Sequence, residues 1–360
     1  MEYEHNKLFL TGPVEVRSDV LEQMRRPIIG HRTPEFQNLF YNITRKLQKL
    51  LKTSNRCFIS NTSALGVMEA CVRNCIKSKS LNLVNGAFGE RWANIVEMNG
   101  KKCDRLEVEW GKGITASMVE EQLKTNNYDS FFMVHNETST GVMNPLEDIS
   151  KIVKQYPDII FIVDCVTSMG GVNIEVDSLG IDIALSSNHK CFALPPIMSV
   201  FSCSQKALDR SNEVKNRGFY FDFQLFLEKY EKSFTVTSPS VSLMYAMDYQ
   251  LDKILHEGIV NRNNRYIEMA EYTRKWAINN NLDLFAEPGF ESPTVTCVSN
   301  NKLINIADLI EKIKSNYKMV FSNGYGKLKE ATFRIGHLGD INLSEIKFLL
   351  NTIEKEITKN

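Results

Sequence analysis

Two charged side chains stand at the ends of short apolar runs in the middle of the chain. Asp164 closes the run Ile159–Val163, and Lys190 follows the run that begins at Ile183. A buried parallel strand would deliver each of them to its carboxyl edge. There a lysine amine can form a Schiff base with an aldehyde, and a carboxylate can keep a pyridine nitrogen protonated. The pair therefore indicates pyridoxal phosphate (PLP), although each residue taken alone is more often a surface lysine or a helix-capping aspartate.

Two further segments have residue types that suit this cofactor. Asn61–Cys71 follows one predicted strand and opens a helix, so its first backbone N–H groups and the Thr62 and Ser63 hydroxyls could hold a phosphate. An ordinary Ser/Thr helix cap would have the same sequence. Phe88 lies between two glycines in another strand-to-helix turn. It could lie flat against a planar ring or pack in the core.

The composition argues for a small-molecule substrate. The 360 residues include 43 basic and 43 acidic ones, so electrostatics favour neither nucleic acid nor an anionic membrane as a partner. No segment is long and apolar enough to span a bilayer. The eight cysteines are scattered without metal-ligand spacing. We expect a cytoplasmic protein with reduced thiols and without a metal site.

Short apolar runs alternate with amphipathic stretches from about residue 56 to residue 203. This alternation predicts an α/β fold with a large, mainly parallel, seven-stranded sheet flanked by helices, and ligands bind beyond the carboxyl ends of such strands. The helical stretches are 65–75, 90–98, 116–123 and 146–153. The predicted strands are Cys57–Ser60, Leu81–Val84, Arg105–Glu109, Phe131–His135, Ile159–Val163, Ile183–Ser186 and Met198–Ser202.

The remainder of the chain predicts a smaller second domain. A long helical stretch from Ser242 to about residue 275, interrupted by Gly258, leads into it. Beyond it, strand-like segments at 294–298 and 332–335 and helices at 306–313 and 343–356 indicate an α+β layer. We expect an N-terminal segment over residues 1–15, a large cofactor-binding domain over 16–257 and a small C-terminal domain over 258–360.

Seven stretches spread over nearly the whole chain resemble class-V, fold-type I aminotransferases of the alanine–glyoxylate and serine–pyruvate group. Each is a weak signal alone, but their order and spacing together are specific. They are Gly12–Pro13, Gly30–Phe36, Asn85–Arg91, His135–Val142, Val163–Gly171, Thr237–Pro239 and Phe333–Gly339.

The resemblance implies a role for particular residues of this chain. Lys190 would be the Schiff-base lysine and Asp164 the partner of the pyridine nitrogen. Arg334 would grip the substrate α-carboxylate, with Gly12 and Gly30 also on the substrate side. An arginine in a strand otherwise most often forms an ion pair. The remaining cofactor contacts would come from Ser63, Ala64 and Leu65 at the phosphate, Phe88 on the ring face, Thr138 near the phenolic oxygen, His189 beside the lysine, and Thr237 from the second subunit of a homodimer.

The implied reaction is a ping-pong transfer of an amino group from alanine or serine to glyoxylate or pyruvate. One alternative is a cysteine desulfurase or lyase of the same fold, but the segment from Phe321 to Glu330 lacks the nucleophilic cysteine that desulfurases carry there. The other alternative is a non-catalytic homologue that serves in assembly or sensing.

The chain also departs from the family pattern at three places. His189 replaces a glutamine, Phe234 replaces a tyrosine, and no glycine follows Pro195-Pro196.

Overall fold

The computed structural model describes residues 5–125 and 127–358. Its strands are β1 (Lys7–Phe9), β2 (Arg56–Ser60), β3 (Lys79–Val84), β4 (Lys102–Glu107), β5 (Ser130–Val134), β6 (Asn136–Glu137), β7 (Val142–Met143), β8 (Ile160–Asp164), β9 (Ile183–Ser187), β10 (Ser199–Cys203), β11 (Val295–Ser299), β12 (Met319–Asn323) and β13 (Thr332–Gly336).

Helices connect and cover these strands, and a short 3-10 turn spans Gly326–Leu328. The α-helices are α1 (Ser18–Gln23), α2 (Pro34–Leu51), α3 (Ala64–Cys75), α4 (Ala87–Met98), α5 (Ala116–Thr125), α6 (Leu146–Val153), α7 (Val176–Leu179), α8 (Gln205–Glu213), α9 (Phe223–Tyr230), α10 (Val241–Glu257), α11 (Ile259–Asn279), α12 (Ile306–Tyr317) and α13 (Leu343–Thr358).

The large sheet has seven strands in the order β2-β10-β9-β8-β5-β3-β4. The pairs β9–β8, β8–β5, β5–β3 and β3–β4 are parallel, whereas β10 runs antiparallel to both β9 and β2. The predicted α/β architecture with a mainly parallel seven-stranded sheet is therefore confirmed. Six of these strands lie within two residues of their predicted bounds, because polar residues that bound each apolar run end the strand. The seventh, β4, begins at Lys102 and ends at Glu107, whereas it was predicted at Arg105–Glu109.

Both faces of this sheet are covered, which explains why its strands are apolar at successive positions rather than alternately. Along β8, Ile160 and Ile162 pack on one face with α3, α4, α8 and α9. Phe161 and Val163 pack on the other face with α2, α5, α6 and α10. The carboxyl ends of the parallel strands consequently meet at one edge, between two helical layers.

A second sheet of four strands, in the order β1-β12-β13-β11, lies in the C-terminal part of the chain. Its core includes apolar side chains of α11, α12 and α13. The sequence pattern predicted β11 and β13 but not β12 or β1. Strand β1, from the N-terminus, pairs in parallel with β12. The N-terminal segment therefore crosses from this sheet to the edge of the large one.

Candidate active site

A cavity of about 210 Å³ opens at the carboxyl edge of the large sheet. It collects side chains that are far apart in the chain, from the turn before α3 to the loop after β9. Eight of the predicted site residues line it, namely Ser63, Ala64, Leu65, Phe88, Thr138, Asp164, His189 and Lys190. The remaining lining residues are Met68, Arg91, Val134, Asn136, Val166 and Thr167.

Lys190 is buried, with 8 % of its surface exposed. Its Nζ donates a hydrogen bond to the carbonyl oxygen of Thr11 at 2.6 Å, and none of the ion pairs among the described residues includes it. Burial, assisted by the charge of Arg334, lowers the pKa of Lys190 to about 8. A β-carbon on Gly12 would lie 2.3 Å from Nζ, so only glycine leaves room for this amine. The predicted residue Gly12 thus lies against the side chain of Lys190, which lines the cavity.

Asp164 is the last residue of β8 and is 4 % exposed. Its Oδ2 accepts a hydrogen bond from Trp92 Nε1 at 2.9 Å, and its Oδ1 accepts one from the Val166 backbone N–H at 2.9 Å. Burial raises the pKa of Asp164, while these two bonds and the charges of Lys190 and Arg91 oppose the rise. A cationic N–H group in the cavity would complete the stabilisation of the carboxylate.

The phosphate-holding turn predicted around Ser63 is the start of α3. Ser63 is the N-cap residue, and its side chain forms no capping hydrogen bond, so first-turn N–H groups are available at the cavity wall. His189 lines the same cavity, with Nδ1 2.9 Å from Ser187 Oγ. Burial and the nearby charge of Lys190 lower the pKa of His189 to about 4. The imidazole is therefore neutral at neutral pH and contributes hydrogen bonds without a charge.

Phe88 belongs to a stack of rings and guanidinium groups. Its ring stacks on that of Tyr325 with centroids 5.5 Å apart, and the Arg91 guanidinium lies 5.0 Å from the Phe88 centroid. Arg91 also donates a hydrogen bond of 2.6 Å to the Tyr325 hydroxyl. Tyr325 comes from the loop after β12, so this stack joins the large sheet to the C-terminal part of the chain.

Thr138 lies in the loop that joins β6 to β7. Its hydroxyl is 3.0 Å from that of Thr167, which also accepts a 2.7 Å hydrogen bond from Asn136 Nδ2. Asn136 Oδ1 is buried and has no hydrogen-bond partner among the described residues. The cavity wall therefore presents an unsatisfied acceptor beside two hydroxyls, which is a suitable environment for a polar ligand.

Arg334, in β13, reaches the same region from the C-terminal part. Its Nη1 donates to the carbonyl oxygen of Thr138 at 3.2 Å and its Nε to that of Asn323 at 3.1 Å. Its guanidinium lies 5.5 Å from the Tyr325 ring centroid. Arg334 is buried, yet the ion pairs found between the described residues do not include it. The ion pair that a strand arginine usually forms is thus absent from the described chain, which leaves its charge for a ligand.

Two predicted residues lie elsewhere within one chain. Thr237 lines a second cavity of about 450 Å³, and its hydroxyl accepts a 3.3 Å hydrogen bond from Asn61 Nδ2. Gly30 is exposed and precedes His31, which lines that same cavity. The other residues of this second cavity are Arg32, Lys229, Lys232, Phe234, Thr235, Val236 and Ser238. A single chain does not bring Thr237 or Gly30 into the first cavity.

Several residues that line the first cavity or contact its lining residues were not predicted from the sequence. Arg91 and Trp92 follow Phe88 by three and four positions in a helix, so helical spacing could have indicated them. Asn136 and Thr167 stand inside stretches that were already noted. Tyr325 carries no local signal, because its approach to Phe88 depends on how β12 packs.

A model of the class-V aminotransferase family matches residues 22–323, which is most of the chain. The chain therefore belongs to the class-V aminotransferases. The resemblance and the PLP-dependent fold-type I architecture expected from the sequence motifs are thereby confirmed, and the chain is an aminotransferase.

Two relatives are similar to this chain over nearly its whole length. An uncharacterised aminotransferase of Methanocaldococcus jannaschii is 38% identical over 96% of this chain and 91% of its own length. A protein of Anabaena cylindrica named as the 42 kDa subunit of a soluble hydrogenase is 31% identical over 96% of this chain and 92% of its own length.

Solved structures of two glyoxylate aminotransferases superpose closely on this chain. A ureidoglycine–glyoxylate aminotransferase from Bacillus subtilis gives a TM-score of 0.94 at 26% identity, covering 100% of this chain and 94% of the other. An alanine–glyoxylate aminotransferase from Nostoc sp. gives a TM-score of 0.92 at 26% identity, covering 99% and 96%. The shared fold extends over both parts of the molecule.

Proposed function

We propose that this aminotransferase uses PLP to move an amino group from a small amino acid, alanine or serine, to glyoxylate or pyruvate. The observation that carries the proposal is the buried amine of Lys190, which shares one cavity with the buried carboxylate of Asp164. An amine with a pKa near 8 is an uncommon feature, and it suits a nucleophile and proton carrier at neutral pH.

The residues of the cavity fit PLP in each of its chemical parts. Asp164 would bind the ring nitrogen and Lys190 the aldehyde carbon. The N–H groups at the start of α3, with Ser63, Ala64 and Leu65, would hold the phosphate. Phe88 would lie against the ring, and the unsatisfied Asn136 Oδ1 with the Thr138 hydroxyl would bind the phenolic side. When bound, PLP supplies an aldehyde for condensation with amines and an electron-withdrawing ring.

The chain's own residues then have distinct tasks. Arg334 would bind the substrate carboxylate and so orient the bond between the α-carbon and its hydrogen. The released Lys190 amine would take that proton and later return it, with the Thr11 carbonyl oxygen as a hydrogen-bond acceptor for its ammonium form. The Asp164 carboxylate would keep its ring partner cationic. Burial of these groups excludes water from the proton transfer.

The proposed order is ping-pong, in which donor and acceptor would occupy the first cavity in turn and would each present a carboxylate to Arg334. The glyoxylate acceptor is supported by the names of the two solved relatives, both glyoxylate aminotransferases. Their donors differ, ureidoglycine in one and alanine in the other. Alanine or serine as donor is supported by the sequence resemblance to the alanine–glyoxylate and serine–pyruvate group.

The functional unit we propose is a cytoplasmic homodimer with shared active sites. Thr237 belongs to a cavity that also contains Arg32, Lys229 and Lys232, a cationic surface able to bind a phosphate. The same chain's PLP cavity lies apart from it. A second subunit that places its own Thr237 at the PLP cavity of the first subunit would complete the phosphate site. No helix in the described part of the chain is long and apolar enough to cross a membrane.

A desulfurase or lyase function is less well supported by the cysteines. Cys191 is the neighbour of Lys190, but burial raises its pKa to about 12, so its thiol is protonated at neutral pH. Cys297, paired across the sheet with Arg334, is also buried, and its pKa is raised to about 11. Neither thiol is suited to attack a substrate sulfur.

An assembly role is the second candidate, because of the relative named as a hydrogenase subunit. A protein with only that role would not require a buried amine beside a buried carboxylate. It would also leave the free charge of Arg334 unused.

The absorbance of the purified protein tests these candidates. With PLP added, we expect a visible band that disappears with an amino donor in the absence of an acceptor. Lys190→Ala should lack the covalently held band, while Lys151→Ala, which changes an exposed lysine of α6, should keep it. A wild-type protein that retains no visible band after incubation with excess PLP and removal of unbound PLP would contradict the aminotransferase mechanism. A panel of donors scored by bleaching of the bound band would identify the substrate.

A further inference from the structure

A buried glutamate beside the cavity has no part in the tasks assigned above. Glu137 ends β6 and has 0 % of its surface exposed. No lysine or arginine among the described residues forms an ion pair with it. A buried carboxylate without an ion-pair partner is costly unless hydrogen bonds satisfy both oxygens. The buried Glu137 carboxylate therefore requires hydrogen-bond donors for both oxygens. The residues that supply these donors indicate the role of Glu137.

Four donors satisfy the two oxygens. Oε2 accepts the backbone N–H groups of Phe88 at 3.1 Å and Gly89 at 3.0 Å. Oε1 accepts the backbone N–H of Ser139 at 3.1 Å and the Ser139 hydroxyl at 2.6 Å. The Ser139 hydroxyl oxygen in turn accepts the Ala87 N–H at 3.0 Å. Glu137 and Ser139 thus replace a normal N-cap for α4, since Gly86 has no side chain to cap it.

The same short segment also reaches Arg334. Thr138 stands between Glu137 and Ser139, and its carbonyl oxygen accepts the hydrogen bond from Arg334 Nη1. The segment therefore attaches to the first turn of α4, which carries Phe88, at one end of the site. At the other end it attaches to Arg334. Burial lowers the pKa of Arg334, and the negative charge of Glu137 acts in the opposite direction.

We propose that Glu137 is a positioning residue that holds Phe88 against the cofactor ring and, through Thr138, holds Arg334 where the substrate carboxylate binds. The proposal rests on the proposed function, in which Phe88 and Arg334 contact cofactor and substrate. A rigid link between these two residues would make cofactor binding and substrate orientation depend on one carboxylate.

The hydrogen-bond chemistry requires a carboxylate rather than any group of the same shape. All four contacts to Glu137 are donors, so each oxygen must act as an acceptor. In Glu137→Gln the amide has the same shape, but its NH₂ group must face one of the two donor pairs. Either the backbone N–H groups of Phe88 and Gly89 or the backbone N–H group of Ser139 would then lose the oxygen that accepts the hydrogen bond.

Gly86 offers an independent way to disturb the same contact. A β-carbon there would lie 2.3 Å from Glu137 Cγ and 2.6 Å from Ser139 Oγ. Gly86 has a φ of 175°, which is an extended backbone conformation that any residue can adopt. Gly86→Ala should therefore act by displacing the two side chains rather than by straining the backbone.

The experiment compares the wild-type protein with Glu137→Gln, Gly86→Ala and Ser139→Ala. Glu90→Gln is the matched control, since Glu90 lies in the same turn of α4 but accepts its 3.0 Å bond from Trp110 instead. The measurements are the dissociation constant of PLP, the visible circular dichroism of bound PLP, kcat and KM for the amino donor, and the thermal midpoint of the apoprotein.

For Glu137→Gln we expect PLP to bind at least tenfold more weakly, the dichroic band to shrink, and KM to rise more than kcat falls. Gly86→Ala should reproduce this signature, Ser139→Ala should show it more weakly, and Glu90→Gln should not show it. The apoprotein midpoint reports general destabilisation, which by itself would not alter the band of PLP that remains bound.

A folded Glu137→Gln protein with wild-type PLP affinity, dichroism and KM would overturn the proposal. If Glu137→Gln or Gly86→Ala does not fold, Ser139→Ala is the deciding variant. It keeps the contacts of Glu137 with the Phe88 and Gly89 N–H groups but removes the hydroxyl that donates to Glu137 and accepts the Ala87 N–H. Wild-type PLP affinity, dichroism and KM in this variant would then overturn the proposal. Failure of the proposed function is distinguishable, since the wild-type protein would then form no PLP band at all.

Discussion

At the scale of single residues, the charge of Arg334 is the feature with the clearest consequence. The Arg334 side chain is buried, and within the described part of the chain it donates hydrogen bonds only to backbone carbonyl oxygens. Its guanidinium lies near the Tyr325 ring. We expect Arg334→Ala to cost ~2–4 kcal/mol of transition-state stabilisation, because a bidentate charge-assisted contact to the substrate is lost. Steady-state kcat/KM measures this loss. Unchanged kcat/KM toward every donor that bleaches the wild-type protein would remove Arg334 from the site.

The lowered pKa of Lys190 predicts a pH dependence. Only the neutral amine is nucleophilic, so the rate of PLP capture by the apoprotein should rise with pH, with its midpoint at about pH 8, and level off at higher pH. Burial is the main cause of the lowered pKa and the charge of Arg334 the second. Arg334→Met should therefore move the midpoint to higher pH, whereas Arg25→Met, at an exposed site, should not. Stopped-flow absorbance between pH 6 and pH 10 measures both. A midpoint that stays near the ordinary lysine value in the wild type would contradict the prediction.

At the scale of elements, the close approach of α4 to β3 positions Phe88. A β-carbon on Gly89 would lie 2.7 Å from the Leu83 carbonyl oxygen and 3.0 Å from Val84 Cα. Both are backbone atoms that cannot move aside, so Gly89→Ala should push the helix away from the strand. We expect a loss of ~1–3 kcal/mol in the free energy of unfolding, measured by urea titration of the apoprotein.

Met98, at the exposed end of the same helix, provides the control for this change. Met98→Ala should alter the free energy of unfolding by less than ~0.5 kcal/mol, since its side chain is 87% exposed. Equal stability of the Gly89→Ala protein and the wild type would mean that α4 can shift without cost, and that its contact with β3 does not fix Phe88.

At the scale of the whole molecule, the placement of Thr237 outside the first cavity predicts a site shared between subunits. Lys190→Ala and Thr237→Ala proteins, each impaired alone at limiting PLP, should recover activity when their subunits are exchanged. A mixed dimer would hold one site with both residues intact. Random exchange should restore up to about one quarter of the wild-type sites, since half of the dimers are mixed and each has one such site.

The control for this exchange is the doubly substituted Lys190→Ala/Thr237→Ala protein mixed with Lys190→Ala, which should recover nothing. Absence of recovery in the first mixture, with subunit exchange verified by mass, would show that Thr237 does not serve a neighbouring subunit's lysine.

The amino-acid sequence by itself determined the local elements and the residues at their ends. Apolar runs closed by polar residues predicted all seven strands of the large sheet, and with them the positions of Asp164 and Lys190 at one edge. These features follow from spacing along the chain, which is a local property. The motifs likewise predicted that Phe88 and Arg334 belong to the site.

Tertiary structure alone decided which distant segments meet. The pairing of β1 with β12, the approach of Tyr325 to Phe88 and the hydrogen bonds from the Phe88 and Gly89 N–H groups to Glu137 join residues 48 to more than 300 positions apart. No local periodicity encodes them, because they arise from the packing of two sheets whose relative position depends on the whole core. For the same reason Thr237 could be named from its motif, while its position outside the first cavity of its own chain became visible only in the folded molecule.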